Sequence, residues 1–198
     1  MNIRLWTIQP LTVWEQLQKN ETFHCDANLA KCMQECEFES AYQWMAKQMR
    51  RRIGAPPVGV IYPIWAWHTL EWQHKKPDLR RMEFRSYKGK HVCMEIEISE
   101  NKVLLSDEVD WHFVLNDSYM PSAQHQEELD RQCERFEHLP EEEKIVAKEK
   151  SWEAIFTVAP PSHNEWNQSE WSQTGRYIQA TFWELNLDQV RSVRHFGK

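Results

Sequence analysis

The chain is expected to fold as an α+β protein, with a single mixed or antiparallel sheet built from N-terminal, central and C-terminal strands and helices packed around it. Three observations lead there. Apolar residues alternate near the start, the middle and the end of the chain, as half-buried strands require. Between those stretches lie segments with three- and four-residue apolar spacing. No internal repeat and no Pro/Gly/Ser-rich linker divides the 198 residues, so 1–198 reads as one globular domain. Strands that pair across intervening helices give an α+β layout.

Residues 3–9 alternate well enough for a first strand, which Pro10 ends. Thr12 and Glu15 stand at capping-box spacing and predict a helix to about Lys19. Over 37–52, Phe38, Ala41, Tyr42, Met45 and Met49 form one buried helical stripe. Arg50, Arg51 and Arg52 suit the negative end of that helix, and Gly54 stops it. Residues 60–68 read as a strand; Pro63 cannot donate to a ladder, which points to an edge or a bulge. In the strand over 91–98, Val92, Met94, Ile96 and Ile98 face one way, and His91, Cys93, Glu95 and Glu97 the other. Residues 103–105 make a short strand, after which Ser106 or Asp107 caps a helix to about Asn116. Residues 124–137 place Leu129, Cys133 and Phe136 in helical register. Pro140 opens a helix to about Phe156 that buries Ile145, Trp152 and Phe156, with Glu141, Glu142 and Glu143 at its positive end. The last strand covers 177–187.

Composition narrows the function classes. At 41% hydrophobic and 27% charged residues, the chain is globular and long enough to bury a core without staples. No apolar run approaches a membrane span, and the opening residues lack a signal core, so a cytoplasmic protein is expected. Five cysteines, at 25, 32, 36, 93 and 133, are an odd set that reads as reduced thiols. His24, Cys25, Cys32 and Cys36 lack the short Cys-x-x-Cys knuckle, so no metal is assigned. A formal net charge of −6 weighs against a nucleic-acid partner. With five glycines and no Gly-rich phosphate loop, Gly-x-Ser-x-Gly elbow or His-Glu-x-x-His helix, a P-loop nucleotidase, a serine hydrolase and a zincin are all disfavoured.

Two places could carry chemistry. Glu184 continues the face of Ile178, Ala180 and Phe182, and a carboxylate closing an apolar face is unusual. The plain alternative is a strand end reaching water. Lys75, Lys76, Arg80 and Arg81 follow Trp65, Trp67 and Trp72 closely. Cations beside aromatic rings bind phosphate by bidentate hydrogen bonds and bases by stacking. The plain alternative there is a solvated loop.

Five segments also carry a family likeness. They are Leu5-Trp6-Thr7-Ile8-Gln9, Pro63-Ile64-Trp65-Ala66-Trp67 with Lys76-Pro77-Asp78-Leu79-Arg80, Val103-Leu104-Leu105-Ser106-Asp107 with Trp111, Lys150-Ser151-Trp152-Glu153-Ala154-Ile155-Phe156, and Ile178-Gln179-Ala180-Thr181-Phe182-Trp183-Glu184-Leu185. Together they resemble a bacterial family known as domain of unknown function 3841, over nearly the whole chain. The order of elements is also similar to small ADP-ribosyltransferase-like domains. That likeness implies NAD as cofactor, Glu184 as the carboxylate that steadies the ribose, and Gln9 or Arg4 on the first strand of the site. The expected roles are then Glu184 and Gln9 as catalytic residues, Trp65 and Trp67 stacking base or ribose, and Lys76 and Arg80 holding phosphate. The alternative is a non-catalytic binding or interaction module that takes a small molecule in a Trp-rich cleft. A single-strand RNA binder would use the same aromatics, against the net charge.

Overall fold

A computed structural model describes residues 1–26, 38–85, 87–123, 125–159 and 173–197. Its elements are β1 (Asn2–Pro10), α1 (Leu11–Asn20), β2 (Thr22–Phe23), α2 (Glu39–Arg52), β3 (Ile64–Leu70), α3 (Met82–Arg85), β4 (His91–Ser99), β5 (Leu104–Asp107), α4 (Glu108–Leu115), α5 (Gln126–Glu137), α6 (Glu141–Ser151), β6 (Tyr177–Phe182), β7 (Leu185–Asn186) and β8 (Val190–Phe196). The protein is α+β: the main sheet is antiparallel, in the order β5-β6-β3-β1-β4-β8, and β2 pairs with β7 in a separate ribbon. The chain divides into two compact units, Met1–Leu105 with Gln179–Lys198, and Ser106–Ile178.

In the first unit the period-two pattern works as read. Leu5, Val92, Met94, Ile96 and Ile98 share one face of the paired β1 and β4 and are almost fully buried, with Leu17 of α1, Phe182 and Leu185 against them. Burying each such side chain contributes roughly 1.5–3 kcal/mol. The neighbouring residues point to the opposite face. There Trp6 and Cys93 pack with Leu79 and Phe84, and Ile8, Trp67 and Phe196 lie against them. On α2, Ala41, Met45 and Met49 are buried as expected, while Tyr42 is half-buried and meets Tyr62 and Trp65 edge-on.

Several sequence expectations change. Helix α1 starts at Leu11 after Pro10, not at a Thr12 cap. Pro10 stands at the N-cap position with no side-chain acceptor, and the Leu11 N–H is taken by the Lys90 carbonyl. Strand β3 begins after Pro63 and lies inside the sheet, where the proline removes no ladder bond. The final strand stops at Phe182, the ribbon strand β7 follows, and β8 then forms the sheet edge. Glu95 faces Ser192 while Ile96 faces Val190, so Arg191 is the extra residue of a bulge.

In the second unit Trp111 and Val114 of α4, Met120, Trp152 and Ile155 are buried. Asp107 caps α4 by accepting the N–H groups of Val109 and Asp110. Helix α5 buries no residue fully: Cys133 is exposed, and Phe136 stacks on Tyr119 with centroids 4.3 Å apart. Helix α6 ends at Ser151, followed by a 3-10 turn over Trp152–Phe156. Trp152 is buried, but Phe156 only partly, and Ile145 is exposed. The inward stripe of α6 is Lys144, Lys148 and Trp152, four residues apart, with the Lys148 ammonium 2.6 Å from Asp117 and above the Trp152 ring.

Candidate functional site

A tight turn follows β3. Leu70 and Gln73 exchange both backbone hydrogen bonds, and the residues between them, Glu71 and Trp72, have φ of 53° and 58°. This is the type I′ hairpin pattern, normally given to Asn and Gly. Two bulky residues in the left-handed region cost of order 1–3 kcal/mol each, and such strain persists only where the surroundings fix it. The Glu71 carboxylate supplies part of that hold through Arg81 at 3.1 Å and Lys75 at 3.3 Å.

The turn brings residues 73–81 back across the sheet face that carries Trp6 and Cys93. His74 stacks on His68 with centroids 4.4 Å apart and planes within 17°, and meets the Trp6 ring edge-on. Its Nε2 lies 2.8 Å from the Arg4 carbonyl oxygen. A carbonyl only accepts, so Nε2 carries the hydrogen. Burial, and then the neighbouring His74, push the His68 pKa down to about 4, so His68 is neutral at pH 7. These residues border a cleft of about 550 Å³, whose rim includes Arg4, Glu97 and Glu100. Arg4 bridges Glu97 at 2.9 Å and Glu95 at 3.4 Å, and Arg191 holds Glu97 from the far side at 3.0 Å. The Trp6 indole N–H is buried and has no hydrogen-bond partner among the described residues.

A second cleft, of about 320 Å³, is lined by Lys76, Pro77, Asp78, Arg80 and Arg194. Pro77 and Leu79 are buried, so Lys76, Asp78 and Arg80 project outward between them. Arg194 joins them from β8, opposite Cys93 in the ladder. Arg80 grips Asp78 through two hydrogen bonds of 2.9 and 2.8 Å, which hold that carboxyl far below its usual range. Lys76 and Arg194 make no ion pair among the described residues. Burial raises the Cys93 thiol to about 11, with Arg194 and Lys76 acting against the shift and Glu95 with it. In native protein at pH 8, iodoacetamide should therefore modify the exposed Cys133 and spare Cys93 until denaturant is added. Mass spectrometry of the alkylated peptides reads this, and rapid native labelling of Cys93 would contradict its burial.

The residues singled out from the sequence thus reach different places. Lys76 and Arg80 meet in one cleft, with Arg194 as a partner that the sequence did not suggest. Trp67 packs against the buried cluster below them, edge-on to Phe84. Trp65 lies against Tyr42. Gln9 donates to Thr7 Oγ1 at 2.9 Å, and Thr7 donates to the Trp65 carbonyl. Glu184 sits between β6 and β7, where His24 Nε2 lies 2.8 Å from one carboxylate oxygen and Asn186 donates to the other at 3.0 Å. The His24 hydrogen bond, followed by that of Asn186, lowers the Glu184 pKa. Neither cleft is lined by Glu184, Gln9, Trp65 or Trp67. Cys32 and Cys36 lie outside the described residues.

The histidine cleft left little trace in the sequence. The segment Leu70-Glu71-Trp72-Gln73 contains no Gly, Asn or Asp, so nothing announces the turn that stacks His74 on His68. The pairing of His24 with Glu184 joins residues 160 positions apart. Among the described residues, no helix is long and apolar enough to cross a membrane.

No curated protein and no solved structure matches the chain. The family model described as Domain of unknown function (DUF3841) matches residues 4–191. That span takes in both clefts except for Asn2, Ile3 and Arg194, and it includes the strained turn and the His24–Glu184 pair. The chain therefore belongs to the family of the domain of unknown function DUF3841.

Proposed function

We propose that this chain binds a phosphate-bearing small molecule of the nucleotide class, with Lys76, Arg80 and Arg194 as its anion grip. The observation that carries the reading is the lining of one cleft by three cations and a single carboxylate, on a chain whose net charge is −6. Phosphate suits this set because a guanidinium gives paired, directional hydrogen bonds and an ammonium adds a compact charge. The Arg80–Asp78 pair is exposed, so a doubly charged ligand displaces it at little cost. Two of the grip residues stand on a segment anchored by the buried Pro77 and Leu79, which reduces the ordering needed on binding. A ribosyl-transfer reading needs Glu184 beside the phosphates. Glu184 is instead engaged by His24 and Asn186 and is absent from this cleft, which favours binding over transfer.

Titration calorimetry with pyrophosphate, ADP and NAD tests the proposal. Lys76→Ala and Arg194→Ala should each weaken the best of these ligands by about tenfold, equivalent to about 1.4 kcal/mol. Affinity should also fall as salt rises. Unchanged affinity in both variants, or no heat with any of the three, would refute it.

A further inference from the structure

The other cleft has the opposite character. We propose that the cleft beside the His68–His74 stack is a binding site for a guanidinium group. This site is independent of the anion grip.

The charges decide the sign of the ligand. Arg4 is committed to Glu97 and Glu95, and Glu97 is further held by Arg191. Glu100, on the same rim, has no side-chain hydrogen bond or ion pair among the described residues. Among the acidic and guanidinium side chains of the lining, one Arg and two Glu leave one carboxylate in excess. An anion would meet that unopposed carboxylate, whereas a cation would pair with it.

The shape and the hydrogen-bonding edge decide which cation. His74 is the outer, exposed ring of the stack. Its Nε2–H is spent on the Arg4 carbonyl, and in the imidazole tautomer that carries its hydrogen there Nδ1 is the acceptor left to a ligand. The site therefore offers a flat aromatic face with two acceptors, His74 Nδ1 and the Glu100 carboxylate. A guanidinium is planar, stacks on aromatic faces and carries five N–H donors in a fixed fork, so it matches both the face and the acceptors. A tetrahedral ammonium matches only the charge. A metal ion is a poor fit, because two rings stacked 17° from parallel send their nitrogen lone pairs along nearly parallel planes instead of to one point. Among the described residues, no group of three or more His, Cys, Asp or Glu is placed to hold one. The volume of about 550 Å³ lies within the 300–1,000 Å³ typical of small-ligand sites. The strained Glu71–Trp72 turn is what brings His74 over His68, consistent with strain being retained where function requires it.

The test uses the full chain with agmatine, with a short peptide carrying one arginine, and with butylamine as an ammonium control. Binding is followed by nuclear magnetic resonance on the indole N–H of Trp6, assigned through Trp6→Phe. Agmatine or the peptide should shift that resonance saturably, and butylamine should bind at least about tenfold more weakly. The tighter of the two guanidinium probes distinguishes a free metabolite from a protein segment as the source. Glu100→Gln and His74→Ala should each weaken binding by about tenfold, and Lys76→Ala should leave it unchanged. Glu100 is exposed, so Glu100→Gln is expected to fold normally and remains informative even if His74→Ala does not. No saturable Trp6 shift with either guanidinium, equal affinity for butylamine, or unchanged affinity in Glu100→Gln would each overturn the proposal. No guanidinium binding to the unaltered chain, with its pyrophosphate binding intact, would overturn this inference while leaving the anion site standing.

Discussion

Met45→Ala should lower the unfolding free energy by about 2–5 kcal/mol, the range for large-to-alanine changes in a sealed core. Met45 is 0% exposed, at the centre of the inward stripe of α2, between Ala41 and Met49. Two terms add: the thioether side chain loses its transfer free energy, and its departure leaves a cavity. Met49 can swing into part of that space, because methionine has three rotatable side-chain bonds, which favours the lower half of the range. Alanine is the better helix former, but that gain is a few tenths of a kcal/mol and cannot offset the cavity. Urea denaturation reads the effect as a lower midpoint at unchanged slope. A loss below about 0.5 kcal/mol would mean that the helix buries a different face.

The same helix shows why much of the fold could be read beforehand. Apolar spacing identifies an element when one of its faces meets a continuous core, as at Ala41, Met45 and Met49, or at Val92 through Ile98. The spacing misleads where that condition fails. On β8 the bulge at Arg191 puts Val190 and Val193, three residues apart, on one face, while Phe196 serves the opposite face, a rhythm that no longer resembles a strand. On α6 the inward stripe begins with the stems of two lysines, so the apolar rule chose Ile145, which faces solvent. Element type was legible at Pro63, but position in the sheet was not, since strand order depends on pairing between distant segments.

The candidate sites divide in the same way. Lys76 and Arg80 were visible because they are close in sequence and near aromatic residues. Arg194 was not, since only the β4–β8 ladder carries it to them. The histidine cleft depends on a turn whose residues break the usual turn chemistry. Glu184 stood out in the sequence as a carboxylate in register with an apolar face, but its partner, His24, is fixed by the β2–β7 register, in which Phe23 faces Leu185 and Thr22 faces Asn186.

Asp110→Asn should stabilise the protein at pH 7 and bring no gain at pH 4. Burial first, and the adjacent Asp107 carboxylate second, raise the Asp110 pKa from 3.8 to about 6. An acid whose folded pKa is raised binds protons more tightly in the native state than when unfolded. Its contribution to stability therefore falls as pH rises from about 4 to about 6, and the full cost is present above that window. At about 1.36 kcal/mol per pH unit the ceiling is about 3 kcal/mol, and solvent access to this half-buried carboxyl reduces it to about 1–2 kcal/mol. One effect opposes the gain: Asp110 lies in the first turn of α4, where a carboxylate interacts favourably with the helix dipole by about 0.3–1 kcal/mol. Burial and the Asp107 charge outweigh it, leaving an expected gain of about 1 kcal/mol at pH 7. The cap itself survives, because Asp107 accepts the backbone N–H of residue 110, not its side chain. Thermal unfolding of both proteins from pH 4 to pH 8 tests this directly. The two stability curves should meet near pH 4 and separate through pH 6. A variant less stable than the parent at pH 7 would show that the helix dipole, and not burial, governs this carboxylate.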